Sequence, residues 1–280
     1  MNCQDFLQAY RAGERDFCEQ DLTAIDLRQA DIPDLLLMDA DLTAVQCQGA
    51  NLKGSNFSGA WLSNANFEAA QLHGSDFSLA DLQGANLSYA QLNLASLPGV
   101  DLRESELIVA HCGGCDLGGA NLQGALLIGS RLMGVNLYGA DLAQANLSRT
   151  YLYDADLRGA NFDETRLGGC LYNCQTQFPA TFDPAAHNAY LIAPEVQLPK
   201  TILSGMYLAN VDLQGANLQA ANLQWANLSG SNFENADLQG ADLSYANLCG
   251  ANLKSANLQD VQLKEAILVG AILPDGTVHR

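Results

Sequence analysis

One feature constrains this chain more than any other: a small residue, an Asp or Asn, and a Leu or Phe recur every five positions, as in Ala85-Asn86-Leu87-Ser88-Tyr89 and Ala216-Asn217-Leu218-Gln219-Ala220. Stepping by five from Phe17 reaches 32 positions by Tyr172, all Leu or Phe except Ile32, Cys47, Cys112 and Tyr172. Stepping by five from Leu203 reaches 15 positions by Leu273, all Leu except Phe233. A helix cannot use this pattern, because a period of five is not a multiple of 3.6 and sends the leucines round every face. A flat sheet cannot use it either. Gly, Asn and Asp return at a fixed phase, as at Gly54, Gly84, Gly124, Gly139, Gly215 and Gly240, and turn the chain every five residues. Extended backbone puts residues two apart on one side, so each apolar centre and the small residue two before it face inward together.

This pattern resembles the pentapeptide-repeat family over about nine-tenths of the chain. The resemblance implies an all-β fold, a right-handed quadrilateral β-helix in which four pentapeptides make one coil and coils stack at about 4.8 Å. Residues 20 apart would then form inward ladders such as Leu22, Leu42, Leu62, Leu82, Leu102, Leu122, Leu142 and Phe162. The expected organisation is an N-terminal cap over 1–16, a first solenoid segment over 17–172, an insertion loop over 173–200, a second segment over 201–273 and a tail over 274–280. Phe6, Leu7 and Tyr10 have helical spacing and predict a short capping helix, which an open solenoid end requires. Between Asn173 and Lys200 the five-residue frame is lost among four prolines, with a helical turn expected near Ala185 to Leu191. Its apolar members Phe178, Phe182, Tyr190, Leu191 and Ile192 are expected to pack back on the coils. Pro274-Asp275-Gly276 reads as a turn that stops the last coil.

Composition narrows the partners. With 13 basic and 31 acidic residues the formal charge is −18, which repels phosphate backbones and anionic lipid, so neither nucleic acid nor a membrane is expected as a direct partner. The first residues lack an apolar signal core and the eight cysteines read as reduced thiols, which together point to the cytoplasm. No cofactor, metal or catalytic residue is expected. The pair Cys112 and Cys115 has metal-ligand spacing, but both occupy inward positions while His111 points outward. No serine lies in a G-x-S-x-G setting, and a filled interior leaves no pocket for chemistry.

The outward positions carry the functional signal. Tyr89, Ile108, Val109, Leu126 and Ile128 fall on one face of neighbouring coils, with Glu106 and Arg149 nearby. The adjacent face adds Leu94, His111, Arg131, Met133, Tyr151 and Tyr153. An apolar and aromatic patch rimmed by charge is the composition of a protein interface, with coverage by the cap or the loop as the competing reading. Trp225 and Tyr245 are 20 apart at one phase and should stack, either as a simple surface pair or as part of an interface. Asp21, Asp41, Asp81, Asp101 and Asp141 share a further face, where they cap their own turns or imitate the charge of DNA.

The N-terminal Leu7, Tyr10, Ala12-Gly13, Arg15 and Phe17 and the closing Gly270-Ala271-Ile272-Leu273-Pro274-Asp275-Gly276 look like cyanobacterial members of the family. That resemblance implies a non-enzymatic regulator or scaffold that acts on a protein partner, and an ending with no long apolar tail to build a dimer interface makes a monomer the expectation. The alternative is a DNA mimic that binds a type II topoisomerase (gyrase), as another branch of the family does. Those relatives resemble dimers joined by a C-terminal helix, which this ending does not supply.

Overall fold

The computed structural model describes all residues, 1–280, and divides into unit 1, Met1–Ala189, and unit 2, Tyr190–Arg280. In both, the residue before each centre makes a parallel bridge to the residue 20 later: Asp16 to Leu36, Leu36 to Asn56, Asn217 to Asp237 and so on along each unit. Four pentapeptides therefore complete one coil. The bridges are single residues because the chain turns again before a longer strand can form.

The pentapeptide chemistry explains each step. The Asp or Asn accepts a hydrogen bond at Oδ1 from the amide two residues on, as Asn56 does from Ser58 at 2.9 Å and Asp81 from Gln83 at 3.0 Å. This fixes the turn locally. The residue two after the centre then takes left-handed backbone, for example φ +66° at Gly54, which glycine adopts without strain. Asn side chains also link coils, Asn136 Nδ2 donating to Asp116 Oδ1 at 2.7 Å.

Inside, the ladder from Leu22 to Phe162 is buried throughout, and Phe57 stacks on Phe77 at 4.7 Å and 4°. Each buried leucine contributes about 1.5 to 3 kcal/mol. Where the small inward residue is polar it commonly donates to a backbone carbonyl, of the preceding coil in Ser75 Oγ to Leu52 O at 3.0 Å, Thr165 Oγ1 to Leu142 O at 2.8 Å and Cys115 Sγ to Leu92 O at 2.9 Å, or of its own coil in Ser105 Oγ to Leu102 O and Thr150 Oγ1 to Leu147 O, both at 2.7 Å. A hydroxyl is admitted to the dry column because it has a partner.

Helix α1, Cys3–Arg11, starts at an Asn2 cap that accepts the Asp5 amide hydrogen at 2.9 Å. It lays Phe6 on Phe17 at 4.4 Å, and the Tyr10 hydroxyl donates to Pro33 O at 3.3 Å. The apolar floor of the first coil is thereby covered. No helix is long and apolar enough to cross a membrane.

The stretch expected as one insertion, 173–200, differs from that expectation at both ends. The ladder does not stop at Tyr172: Asp156 bridges Gln177, 21 residues on, and Thr176 Oγ1 donates to Leu152 O at 2.7 Å in the place of an inward residue. One extra residue is absorbed between Asn173 and Thr176, where Asn173 Oδ1 accepts the amides of Gln175 and Thr176. This single-residue bulge displaces the frame by one, so that Phe178 takes the place of a centre. At the other end, turns at Pro194-Glu195 and Pro199-Lys200 already have pentapeptide form and Leu198 is buried, so the repeat resumes by Ala193, before residue 201. Strands β1, Leu171–Tyr172, and β2, Tyr190–Leu191, lie in units 1 and 2 respectively. The helical turn is shorter than expected, a 3-10 turn at Ala185–His187.

Phe178 and Phe182 pack on the end of unit 1, Phe182 stacking on Phe162 at 4.2 Å and Phe178 meeting Tyr172 edge-on at 5.3 Å. In unit 2 the final centres depart from the expected burial: Leu258, Leu263, Leu268 and Leu273 are only partly covered, because no further coil lies over them. After Pro274-Asp275-Gly276 the chain reverses, and Ile272 bridges Val278 in antiparallel sense.

Candidate interaction surface

The turn geometry decides what reaches solvent. Residues one before, one after and two after each centre point outward, and the last of these sits at the coil's corner with positive φ. Tyr89 (φ +61°, 52% exposed) and Val109 (φ +56°, 37% exposed) occupy successive corners of one column. Ile108, Leu126 and Ile128 lie beside them, half-buried. Left-handed backbone costs a residue with a β-carbon about 1 to 2 kcal/mol, and a β-branched Val is an outlier there. The same column admits glycine without strain at Gly129 and Gly169.

On the adjacent face Arg131 and Met133 are half-buried, and His111 lies between them and Gln91. Partial burial, aided by the charges of Arg131 and His73, holds the His111 imidazole below its usual pKa. Tyr151 is a correction: expected outward, it is 8% exposed, lying in the ladder between Arg131 and Leu171 with its ring 6.4 Å from that of Tyr153. Tyr153 is half-buried, its hydroxyl enclosed without a hydrogen-bond partner, and burial pushes its pKa up. These two tyrosines are packing residues, so the patch centres on Tyr89 and Val109.

Cap and loop leave that centre open. Helix α1 ends its contacts at Phe17, Asp21, Asp26 and Pro33, and the loop aromatics sit on Phe162 and Tyr172. In unit 2, Trp225 (φ +61°, 64% exposed) and the half-buried Tyr245 stack at 4.1 Å and 3°, as their spacing predicts.

Several exposed apolar residues at the same phases were not singled out from the sequence. Leu79 is 76% exposed, and Trp61, Tyr138, Ile202 and Tyr207 are also open; Leu94, expected on the adjacent face, is 74% exposed. The signal was present in the repeat, since each replaces a polar residue or Gly of the common pattern.

The chemical candidates resolve as structural groups. Cys112 and Cys115 are buried, and hydrogen bonding to Cys115 together with burial pushes the Cys112 thiol well up. Burial alone raises the Cys170 thiol to about 12. The acidic column is a set of turn caps: Asp21, Asp41, Asp81, Asp101 and Asp141 each accept the amide two residues on. Arg103 also pairs with Asp101 at 2.6 Å, and Trp61 interrupts the column between Asp41 and Asp81. The Asp101 carboxyl is held low by its hydrogen bond from Arg103.

Comparison with known proteins agrees with this geometry. The pentapeptide repeats family matches in eight copies, spanning residues 21–59, 60–97, 85–124, 110–149, 130–169, 200–235 and 231–270. Among solved structures, HetL, a pentapeptide repeat protein involved in heterocyst differentiation regulation from the cyanobacterium Nostoc sp. strain PCC 7120, is 32% identical over all of both chains, with a TM-score of 0.38. Full-length QnrB1, a plasmid-mediated fluoroquinolone resistance protein, is 15% identical over 63% of this chain and 93% of its own, with a TM-score of 0.41. A pentapeptide repeat protein of the Arabidopsis thaliana thylakoid lumen is 26% identical over 42% of this chain and 68% of its own, with a TM-score of 0.25. No curated protein matches the chain. The five-residue turns, the 20-residue ladder and the full-length identity to HetL lead to one conclusion: this chain belongs to the pentapeptide-repeat family.

Proposed function

We propose that the protein is a non-enzymatic scaffold or regulator, each unit a right-handed quadrilateral β-helix, and that unit 1 presents the corner around Tyr89 and Val109 to a protein partner. The observation that carries the reading is exposed bulk at two successive corners. Left-handed backbone is general at this phase, Ala69 and Arg149 holding it in the same column, but packing does not require a large apolar side chain there and Gly129 serves the next coil, yet Tyr89 and Val109 are large and exposed. Apolar bulk that the fold does not use points to a role outside the fold. The adjoining Ile108, Leu126 and Ile128 extend the apolar area, with Glu106 and Arg149 at its rim. Similarity to HetL, which is involved in heterocyst differentiation regulation, supports a regulatory role here. Imitation of DNA draws less support, because the acidic column is spent on its own turns and broken by Trp61.

The test is affinity capture from the native cell with wild type against the double variant Tyr89→Asn, Val109→Asn. Asn tolerates left-handed backbone, so the variant keeps its circular dichroism and melting temperature. The expected result is loss of a partner that wild type retains. A folded variant that keeps every partner would overturn the reading.

A further inference from the structure

Where a long side chain at a corner precedes a glycine 20 residues later, it leans toward the coil that follows. Leu79 reaches over Gly99 and Leu94 over Gly114, each 2.9 Å from where a β-carbon would stand, and Val109 approaches Gly129 at 3.6 Å. In unit 2, Glu195 approaches Gly215 in the same way at 3.4 Å. Trp225 leans the same way, stacking on Tyr245, 20 residues later. Its opposite ring face therefore looks back at position 205, the preceding residue of the column, since the Gly205 amide bonds Gln224 O at 2.7 Å.

Position 205 is a glycine, and nothing lies within 4 Å of a β-carbon built there. No side chain fills the place beneath the indole at this corner, where the column presents only bare backbone. Ile202 and Tyr207, both exposed, stand on either side of Gly205 in the chain. The far end of the stack already carries a cation: Lys264 Nζ lies 5.7 Å from the Tyr245 ring centroid.

We propose that the slot between Trp225 and Gly205 binds the guanidinium of an arginine in a basic segment of a protein partner. Trp is the best aromatic acceptor of a cation, and a planar guanidinium can continue the stack where an ammonium cannot. A chain of net charge −18 draws such a segment toward it. The proposal rests on the reading that this protein works through protein contact, but it concerns a different unit and a defined chemistry.

The experiment uses the full chain carrying Trp61→Phe, which leaves Trp225 as the sole tryptophan. Acetylated, amidated Gly-Arg-Gly-Arg-Gly is titrated at physiological salt, with binding followed by Trp225 fluorescence and calorimetry. The lysine analogue and oligo-dT are titrated in parallel. The expected result is binding of the arginine peptide about threefold or more tighter than the lysine peptide. Trp225→Ala should remove that preference. Gly205→Tyr, at a corner phase where Trp225 and Tyr245 already show that aromatic residues fit, should fill the slot and remove it too, whereas Gly205→Ala should keep it. Equal affinity for arginine and lysine, indifference to Trp225→Ala or Gly205→Tyr, or stronger binding of oligo-dT would each overturn the proposal. Because no native partner is needed, such a failure is separate from any result obtained at Tyr89 and Val109.

Discussion

At Val109 three demands meet on one residue: it turns the coil, it is exposed, and it is β-branched. Relieving the backbone strain should therefore stabilise the fold. Val109→Gly is expected to raise stability by about 1 kcal/mol, visible as a higher midpoint in urea, while weakening partner capture. A midpoint that falls would mean that the side chain is a packing element. Such residues were legible in the sequence because the repeat defines which phase faces out. Tyr151 was not, since phase alone says nothing of large neighbours: Arg131 and Leu171 flank it in the ladder and Tyr153 lies against it. The slot at Gly205 was equally hidden, because it depends on the direction in which a side chain leans.

At the scale of elements, the cap illustrates how an end differs from a middle. Phe6 is fully buried against Phe17, and Phe6→Ala should cost about 3 to 5 kcal/mol locally. Because coils touch only their neighbours, the loss should appear as faster amide exchange in the first coils, with those around Leu122 protected as before. Uniform loss of protection would show that unit 1 opens as a whole. The helix was legible from the spacing of Phe6, Leu7 and Tyr10. The bulge at Asn173 to Thr176 was visible only as an offset of one residue in the count. Its location needed the bridge from Asp156 to Gln177, since many positions could have absorbed the extra residue equally well in the sequence.

For the whole molecule, the acidic surface sets the response to pH. The Asp26 carboxyl is lowered to about 2, chiefly by its hydrogen bond from Arg28, and Asp101 is lowered by Arg103. An unfolded Asp titrates near pH 3.9, so both groups favour the folded state fully above that value and lose the effect as pH falls below it, for Asp26 toward about 2. Melting temperature should accordingly drop between about pH 4 and 2, and the drop should shrink in Asp26→Asn, Asp101→Asn. An identical slope in wild type and variant would remove these pairs from the account. The period of five anticipated the ladder and the turns because every coil repeats the same local chemistry. It anticipated less of the interaction surface, where function resides in departures from the repeat.

Those leaning corner residues overlap like roof tiles, Leu79 over Gly99 within unit 1 and Trp225 against Tyr245 within unit 2. The exterior of each unit, built from nearly identical coils, thereby acquires an up and a down. A binding segment running along such a column would meet overhangs in one direction and smooth slopes in the other, so docking should be possible in a single orientation.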